Sequence, residues 1–306
     1  MIVLACPGQG SQTPGFLSPW LERNEYRTMA ERFSDASGVD IALHGTQSDA
    51  DTIRDTAVAQ PLIVAAGLMA LEALLADGRK ERIAGIAGHS VGEITAAAGA
   101  GILGYVEAMT LVSERARAMA EAAALQPTGM SAVLGADEDA LLARLAELGL
   151  EPANFNGGGQ IVVAGALDAL DALRSDPLPG SRVIPLQVAG AFHTRYMEPA
   201  KQALATAAAA VRPTQPDTTI WTNHDGSAVD DGQRFLDLVV GQVSSPVRWD
   251  LCMESFAVAG VTGVVELAPA GALVGLARRG LKGLPTVAVK TPDDIPAAID
   301  LIDQHA

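Results

Sequence analysis

Arg82-Ile83-Ala84-Gly85-Ile86-Ala87-Gly88-His89-Ser90-Val91-Gly92-Glu93-Ile94-Thr95-Ala96-Ala97-Ala98 holds the strongest fold signal in the chain. Residues 82–87 are short, apolar and glycine-bounded, as a buried parallel strand requires. From Gly92 the composition turns helical. The junction, Gly88-His89-Ser90-Val91-Gly92, has the form G-x-S-x-G, in which two glycines allow a sharp strand-to-helix turn with a serine at its apex. The same five residues also fit a plain glycine-rich turn with a capping serine.

The flanking sequence repeats the alternation. Strands are expected at 2–6, 219–223, 264–268 and 286–290. Helices are expected at 61–75, with Pro61 in the first turn, and at 106–123, 197–211, 233–242, 249–259 and 271–279. Strands alternating with helices imply a mainly parallel sheet. Between them, strands at 130–135, 152–156, 160–165 and 182–188, with helices at 137–148 and 167–174, give the order β-α-β-β-α-β of a split βαβ unit. The expectation is an α/β fold: a large unit of residues 1–126 and 189–306, with an α/β-hydrolase-like core, and a ferredoxin-like small subdomain inserted at 127–188.

The bulk properties narrow the function. The 306 residues are 49% hydrophobic and only 4% aromatic, and the formal net charge is −15. So acidic a chain is a poor partner for nucleic acid, which demands a basic face. Two cysteines, Cys6 and Cys252, form neither a metal-ligand spacing nor a disulfide framework. No run reads as reaching the roughly 18 apolar residues of a membrane span, and residues 2–6 are too short for a signal peptide. A soluble cytoplasmic protein without a bound metal is expected.

A serine nucleophile needs a base. His305 is in the tail, His44 lies in a polar stretch, and His89 adjoins Ser90 on a turn whose neighbours point apart. His193, in Gly190-Ala191-Phe192-His193-Thr194, falls between a strand and a helix, where catalytic residues of α/β sheets collect. His224, in Asn223-His224-Asp225-Gly226, competes with it. An esterase of the hydrolase plan would run Ser, acid, then His near the end. Here more than a hundred residues follow His193, and no carboxylate on a strand-end loop precedes it. An oxyanion hole would take the Val91 amide and a donor from the glycine-lined loop Gly8-Gln9-Gly10-Ser11-Gln12.

With these residues in place, the chain resembles the malonyl-CoA:acyl carrier protein transacylases of fatty acid and polyketide synthesis. Pro7-Gly8-Gln9-Gly10-Ser11-Gln12 resembles the N-terminal motif and Gly88-His89-Ser90-Val91-Gly92-Glu93 the nucleophile elbow. Asn154-Phe155-Asn156 with Gly159-Gln160 is similar to the small-domain motif, and Ala191-Phe192-His193 to the histidine loop. Gln242, ahead of Ser245-Pro246-Val247-Arg248-Trp249, falls at the family's histidine-orienting glutamine. Glu266-Leu267-Ala268-Pro269 with Gly271 resembles the last sheet motif. The resemblance implies that Ser90 is acylated and that His193 is its base. It implies that the Gln242 carbonyl holds the imidazole, and that the amides of Gln9 and Val91 bind the oxyanion. Arg115 would pair with the malonyl carboxylate, a role that suits a planar guanidinium, although with Glu114 and Arg117 beside it a solvated helix face is also open. His89, Asn156 and Phe192 would lie around the substrate, Phe192 and Val91 favouring malonyl over methylmalonyl.

The implied substrates are malonyl-CoA and an acyl carrier protein, whose phosphopantetheine thiol receives the acyl group. The implied state is a monomer without a permanent cofactor. An acidic carrier would need a local cationic patch on this acidic chain. Arg278, Arg279 and Lys282, with Arg195 beside His193, are the candidates, and a solvated helix face is the other reading of that cluster. A serine esterase or thioesterase, a transferase for methylmalonyl-CoA and a non-catalytic carrier-binding subunit remain alternatives.

Overall fold

A computed structural model describes residues 1–305, with residue 77 described by its backbone alone. The chain enters through β1 (Ile2–Cys6), wholly buried, then passes through three short helices, α1 (Ser18–Leu21), α2 (Asn24–Ser37) and α3 (Ile41–Thr46), to the long α4 (Thr56–Leu75). β2 (Ile83–Gly88) leads through the turn at Ser90 into α5 (Gly92–Gly99) and then α6 (Tyr105–Ala124). The second sheet follows: β3 (Thr128–Leu134), α7 (Glu138–Leu148), β4 (Glu151–Gly157), β5 (Gln160–Ala166), α8 (Leu167–Ser175) and β6 (Arg182–Pro185). The chain then returns through α9 (Glu198–Ala209), β7 (Ile220–Trp221), β8 (Ala228–Val229), α10 (Gly232–Gln242), β9 (Val247–Arg248) and α11 (Trp249–Val258). It closes with β10 (Gly263–Glu266), α12 (Leu273–Gly280), β11 (Thr286–Ala288) and α13 (Ile295–His305).

One sheet has the order β11-β10-β1-β2-β7-β8, parallel except for the β7–β8 pair. The other has the order β6-β3-β5-β4-β9 and is antiparallel except where β4 meets β9. The carboxyl ends of β1 and β2 lie side by side, Cys6 opposite Gly88. The loops that leave these two strands therefore meet, as ligand-binding loops do at the strand ends of open α/β sheets.

Several sequence expectations need correction. Pro61 is not in a first turn: Asp55 caps the helix by accepting from Ala57 N at 2.8 Å, α4 begins at Thr56, and Pro61 sits inside it. The aspartate cap outweighs the proline as a start signal because it satisfies a free N–H. α4 is also long and apolar enough to cross a membrane, with mean hydropathy 1.9, contrary to the reading that no run is; 78% of it is buried inside the fold, where it packs on α5 and α6. His44, read as lying in a polar stretch, is half-buried in α3 and bonded to Ser48. The helix expected from 271 starts at Leu273, because residues 269–272 form a turn around the Glu266 carboxylate. β9 was not foreseen.

Candidate active site

The turn at Ser90 is as tight as the glycines imply. A Cβ on Gly88 would stand 2.0 Å from the Gly92 carbonyl carbon, and one on Gly92 would stand 2.1 Å from the Cys6 oxygen. No larger residue fits either place. Ser90 itself has φ of +54°, a left-handed conformation that costs a non-glycine residue about 1–2 kcal/mol. That strain lifts its side chain clear of the sheet.

Ser90 Oγ lies 2.7 Å from His193 Nε2, across 103 positions of sequence. His193 is buried, also at positive φ (+63°), and its Nδ1 lies 2.8 Å from the Gln242 carbonyl oxygen. A carbonyl can only accept, so Nδ1 carries the proton and Nε2 presents its lone pair to the serine hydroxyl. Burial, then the positive charge of Arg115, pushes the imidazole down to about 3. The ring is therefore a neutral acceptor at ordinary pH. His224, the competing base, is exposed on the loop after β7, with its backbone N–H given to Thr222.

Arg115 is not a solvated helix residue. It is buried in the middle of α6 and reaches the same serine, with Nη2 3.4 Å from Ser90 Oγ. Neutral amide oxygens hold its two arms: Gln60 at 2.7 Å and Gln242 at 2.8 Å. Its Nε has no partner among the described residues. Burial lowers the guanidinium to about 10, and the nearby Glu93 opposes that shift. Glu93 is itself buried, and burial raises its carboxyl to about 7. The result is a cationic group oriented without a direct ion pair among the described residues, next to the hydrogen-bonded Ser90 and His193.

The remaining predicted residues fall around this centre at different distances. Val91 and Phe192 are buried in the main apolar core. His89 Nε2 lies 2.9 Å from Asn156 Oδ1, and Asn156 in turn donates to Gln160 at 3.1 Å, so the small sheet touches the elbow there. Gln9 donates from its side chain to Arg54 O and Thr56 Oγ1, both at 3.3 Å. It borders a cleft of about 450 Å³ with Gly10, Gln12, Arg54, Leu186 and Val188. A Cβ on the neighbouring Gly8 would stand 2.8 Å from the His89 oxygen, so that loop abuts the elbow. Arg195 is exposed and paired with Glu151. Arg278 makes one long bond to Thr286 at 3.4 Å, and Arg279 lies over Gly158 of the β4–β5 turn.

Sequence reading passed over two residues that matter to this geometry. Asn223 and Glu93 are both buried and bonded to the elbow or its neighbours. Asn223 ends an expected strand and Glu93 stands in a first helical turn, where an acid is ordinary. Neither position advertised a contact across more than a hundred residues.

The acyl transferase domain family matches residues 3–295. The malonyl CoA-acyl carrier protein transacylase of Mycobacterium tuberculosis (strain ATCC 25618 / H37Rv) is 48% identical over 305 residues, covering 98% of this chain and 100% of that protein. The crystal structure of MCAT from Mycobacterium tuberculosis superposes with a TM-score of 0.94 at 47% identity, over 98% of this chain and 99% of that one. A malonyl-transacylase solved in complex with its type II PKS acyl-carrier protein superposes at 0.91 with 27% identity, over 98% and 99%. With an elbow serine, a neutral histidine and a buried arginine in one site, and relatives matched end to end, the chain is an acyltransferase that belongs to the acyl transferase domain family of the malonyl CoA-acyl carrier protein transacylases.

Proposed function

We propose that the chain moves a malonyl group from malonyl-CoA to the phosphopantetheine thiol of an acyl carrier protein through an acyl-enzyme on Ser90, in the service of fatty acid synthesis and also suited to a polyketide carrier. The observation that carries this reading is the shared contact of Ser90 Oγ with His193 Nε2 at 2.7 Å and Arg115 Nη2 at 3.4 Å. Nucleophile, base and carboxylate receptor converge on one atom.

His193 Nε2 takes the Ser90 proton as Oγ attacks the thioester carbon, while the Gln242 carbonyl holds the ring and stabilises the imidazolium that forms. The oxyanion falls to the amides of Val91 and Gln9; the Ser90 amide is already given to Asn223 at 2.7 Å. The imidazolium returns its proton to the departing coenzyme A sulfur. In the second half, the carrier thiol gives its proton to His193 and attacks the acyl-serine, and Ser90 Oγ recovers a proton as it leaves. Arg115, with Nε free and both arms turned by neutral amides, binds the malonate carboxylate, and His89 and Asn156 border the acyl group. Phe192 crowds an α-methyl substituent, a discrimination of about 1–3 kcal/mol.

The strand order β6-β3-β5-β4 supports reading residues 127–188 as a ferredoxin-like insert in an α/β-hydrolase-like unit of residues 1–126 and 189–306. The same proposal takes Arg278, Arg279 and Lys282, with Arg195 as a lesser contributor, as the carrier-docking cations. It also takes the protein to be a cytoplasmic monomer that binds no nucleic acid, in keeping with unpaired buried cysteines and strong net acidity. Intact-mass measurement tests the chemistry. Malonyl-CoA should add one malonyl group to the protein, acetyl-CoA should add far less, Ser90→Ala should take none, and holo carrier should remove the label. Equal labelling by the two thioesters would contradict the role of Arg115, and labelling of Ser90→Ala would contradict the mechanism.

A further inference from the structure

The elbow is held from outside by a side chain that mimics a backbone. β7 pairs with β2 only as far as Trp221 opposite Ala87. Two residues later, the Asn223 side chain continues the ladder where β2 bends out of the sheet. Asn223 Nδ2 donates to the Gly88 carbonyl at 2.6 Å, and Oδ1 accepts from Ser90 N at 2.7 Å. Gly88 O can only accept and Ser90 N can only donate, so the orientation of the amide is fixed. Asn223 is fully buried, and its two bonds flank His89 and end on the amide of Ser90, the residue in the turn that carries left-handed strain.

A second buried group ties this clamp to the histidine. Glu93 Oε1 accepts from Asn223 N at 2.6 Å, and Glu93 Oε2 accepts from the Gln242 side chain. The Gln242 orientation is set by Arg115, a pure donor, on its oxygen. Gln242 also supplies the carbonyl that holds His193. One carboxylate on α5 therefore braces the clamp on the nucleophile and the residue that holds the base. A glutamine there offers one acceptor where two donors point.

We propose that Asn223 and Glu93 are positioning residues for the acyl-transfer step: Asn223 fixes the strained Ser90 backbone so that Oγ meets His193 Nε2, and Glu93 locks Asn223 to Gln242. The inference rests on the Ser90 acyl-enzyme proposed above. Neither residue touches the acyl group or coenzyme A in this scheme, so their removal acts on the rate of acylation rather than on binding.

The test is single-turnover malonylation of the full chain, with malonyl-CoA affinity measured separately on a Ser90→Ala background. Asn223→Ala and Glu93→Gln should each slow acylation by about 10–100-fold, the scale of one or two misplaced buried hydrogen bonds. Malonyl-CoA affinity of the Asn223→Ala, Ser90→Ala double variant should match that of Ser90→Ala. Asn223→Asp keeps the acceptor for Ser90 N but donates to Gly88 O only when protonated, so its rate, taken as a ratio to the wild-type rate at the same pH, should rise as pH falls. If Asn223→Ala does not fold, Glu93→Gln and the pH profile of Asn223→Asp decide the matter. Wild-type acylation rates in these variants, or a loss confined to affinity, would overturn the inference. Failure of the wild-type protein to be malonylated at Ser90 would instead remove the function on which it rests.

Discussion

Arg115 and Glu93 are opposite charges enclosed in the same buried volume, yet they meet only through the Gln242 amide. A direct ion pair would have satisfied the guanidinium and left nothing for a ligand. The amide relay keeps the charges close enough to stabilise each other while leaving Arg115 able to bind an anion. Arg115→Lys should therefore lower malonyl kcat/KM by about two orders of magnitude, since a point charge lacks the planar fork. Steady-state kinetics with malonyl- and acetyl-CoA should show the preference for malonyl collapsing in parallel. The pH behaviour has two signs. His193 is held far below its unfolded value, so it stays unprotonated as pH falls past 6.5, and its own titration should not limit acylation until pH approaches about 3. Its contribution to folding is present above 6.5 and lost as pH falls towards the depressed value. Glu93 runs the other way: raised to about 7, it contributes stability that is full below its unfolded value and lost as pH rises through 7. Urea titrations at pH 5 and pH 8 should show Glu93→Gln gaining on the wild type as pH rises. At this scale Ser90 and His193 were legible because each stands at the end of an apolar strand run, in a loop with no competing duty. Asn223, Glu93 and the side chain of Gln242 were not, because the partners that join them to the site lie 127 to 152 positions away and nothing local distinguishes a bonded amide from a solvated one.

α12 shows how an element can be set by a single residue outside it. Glu266, at the end of β10, receives the backbone N–H groups of Gly271, Ala272, Leu273 and Val274, at 2.9 to 3.1 Å. A helix begins with free N–H groups and a partial positive charge, and one buried carboxylate here satisfies both. Glu266→Gln removes the charge and turns an amide N–H toward these donors. It should cost at least about 2 kcal/mol in chemical denaturation, the range for losing charge-assisted bonds to buried partners. The sequence showed Glu266 within a motif but not its bonds, so the helix was expected two residues early. The helices at Ser18–Leu21 and Asn24–Ser37 escaped notice for a related reason: Leu17 and Arg23, their preceding residues, offer no side-chain cap. α4, by contrast, was recognised but shortened, because proline is a louder signal than the aspartate six residues before it.

Across the whole molecule, charge is unevenly engaged. Arg54, Lys80, Arg82, Arg117 and Arg144 are among the basic side chains outside the site that pair with acids. Arg278, Arg279 and Lys282 take part in none of the ion pairs of the described residues. Under the proposed function these three are the cations a chain of net charge −15 offers to an acidic carrier. Reversing all three to Glu should raise KM for the carrier in the second half-reaction, and the difference from wild type should shrink as salt is added. The alternation of strands and helices was readable from the sequence because apolar runs report burial directly. The union of the two sheets was not, since β9 is two residues long and follows a proline. Yet Val247 and Arg248 pair with Asn154 and Phe155, and the Arg248 amide also bonds the Asn223 carbonyl. The five-stranded sheet thus draws its last strand from the chain that follows Gln242, whose carbonyl meets His193 Nδ1. Residues 127–188 cut out and grafted into another host would carry a bare strand edge, an invitation to self-association. An exchange of residues 127–188 that keeps this sheet whole must carry along Val247 and Arg248, and with them the stretch of chain that leads from Gln242.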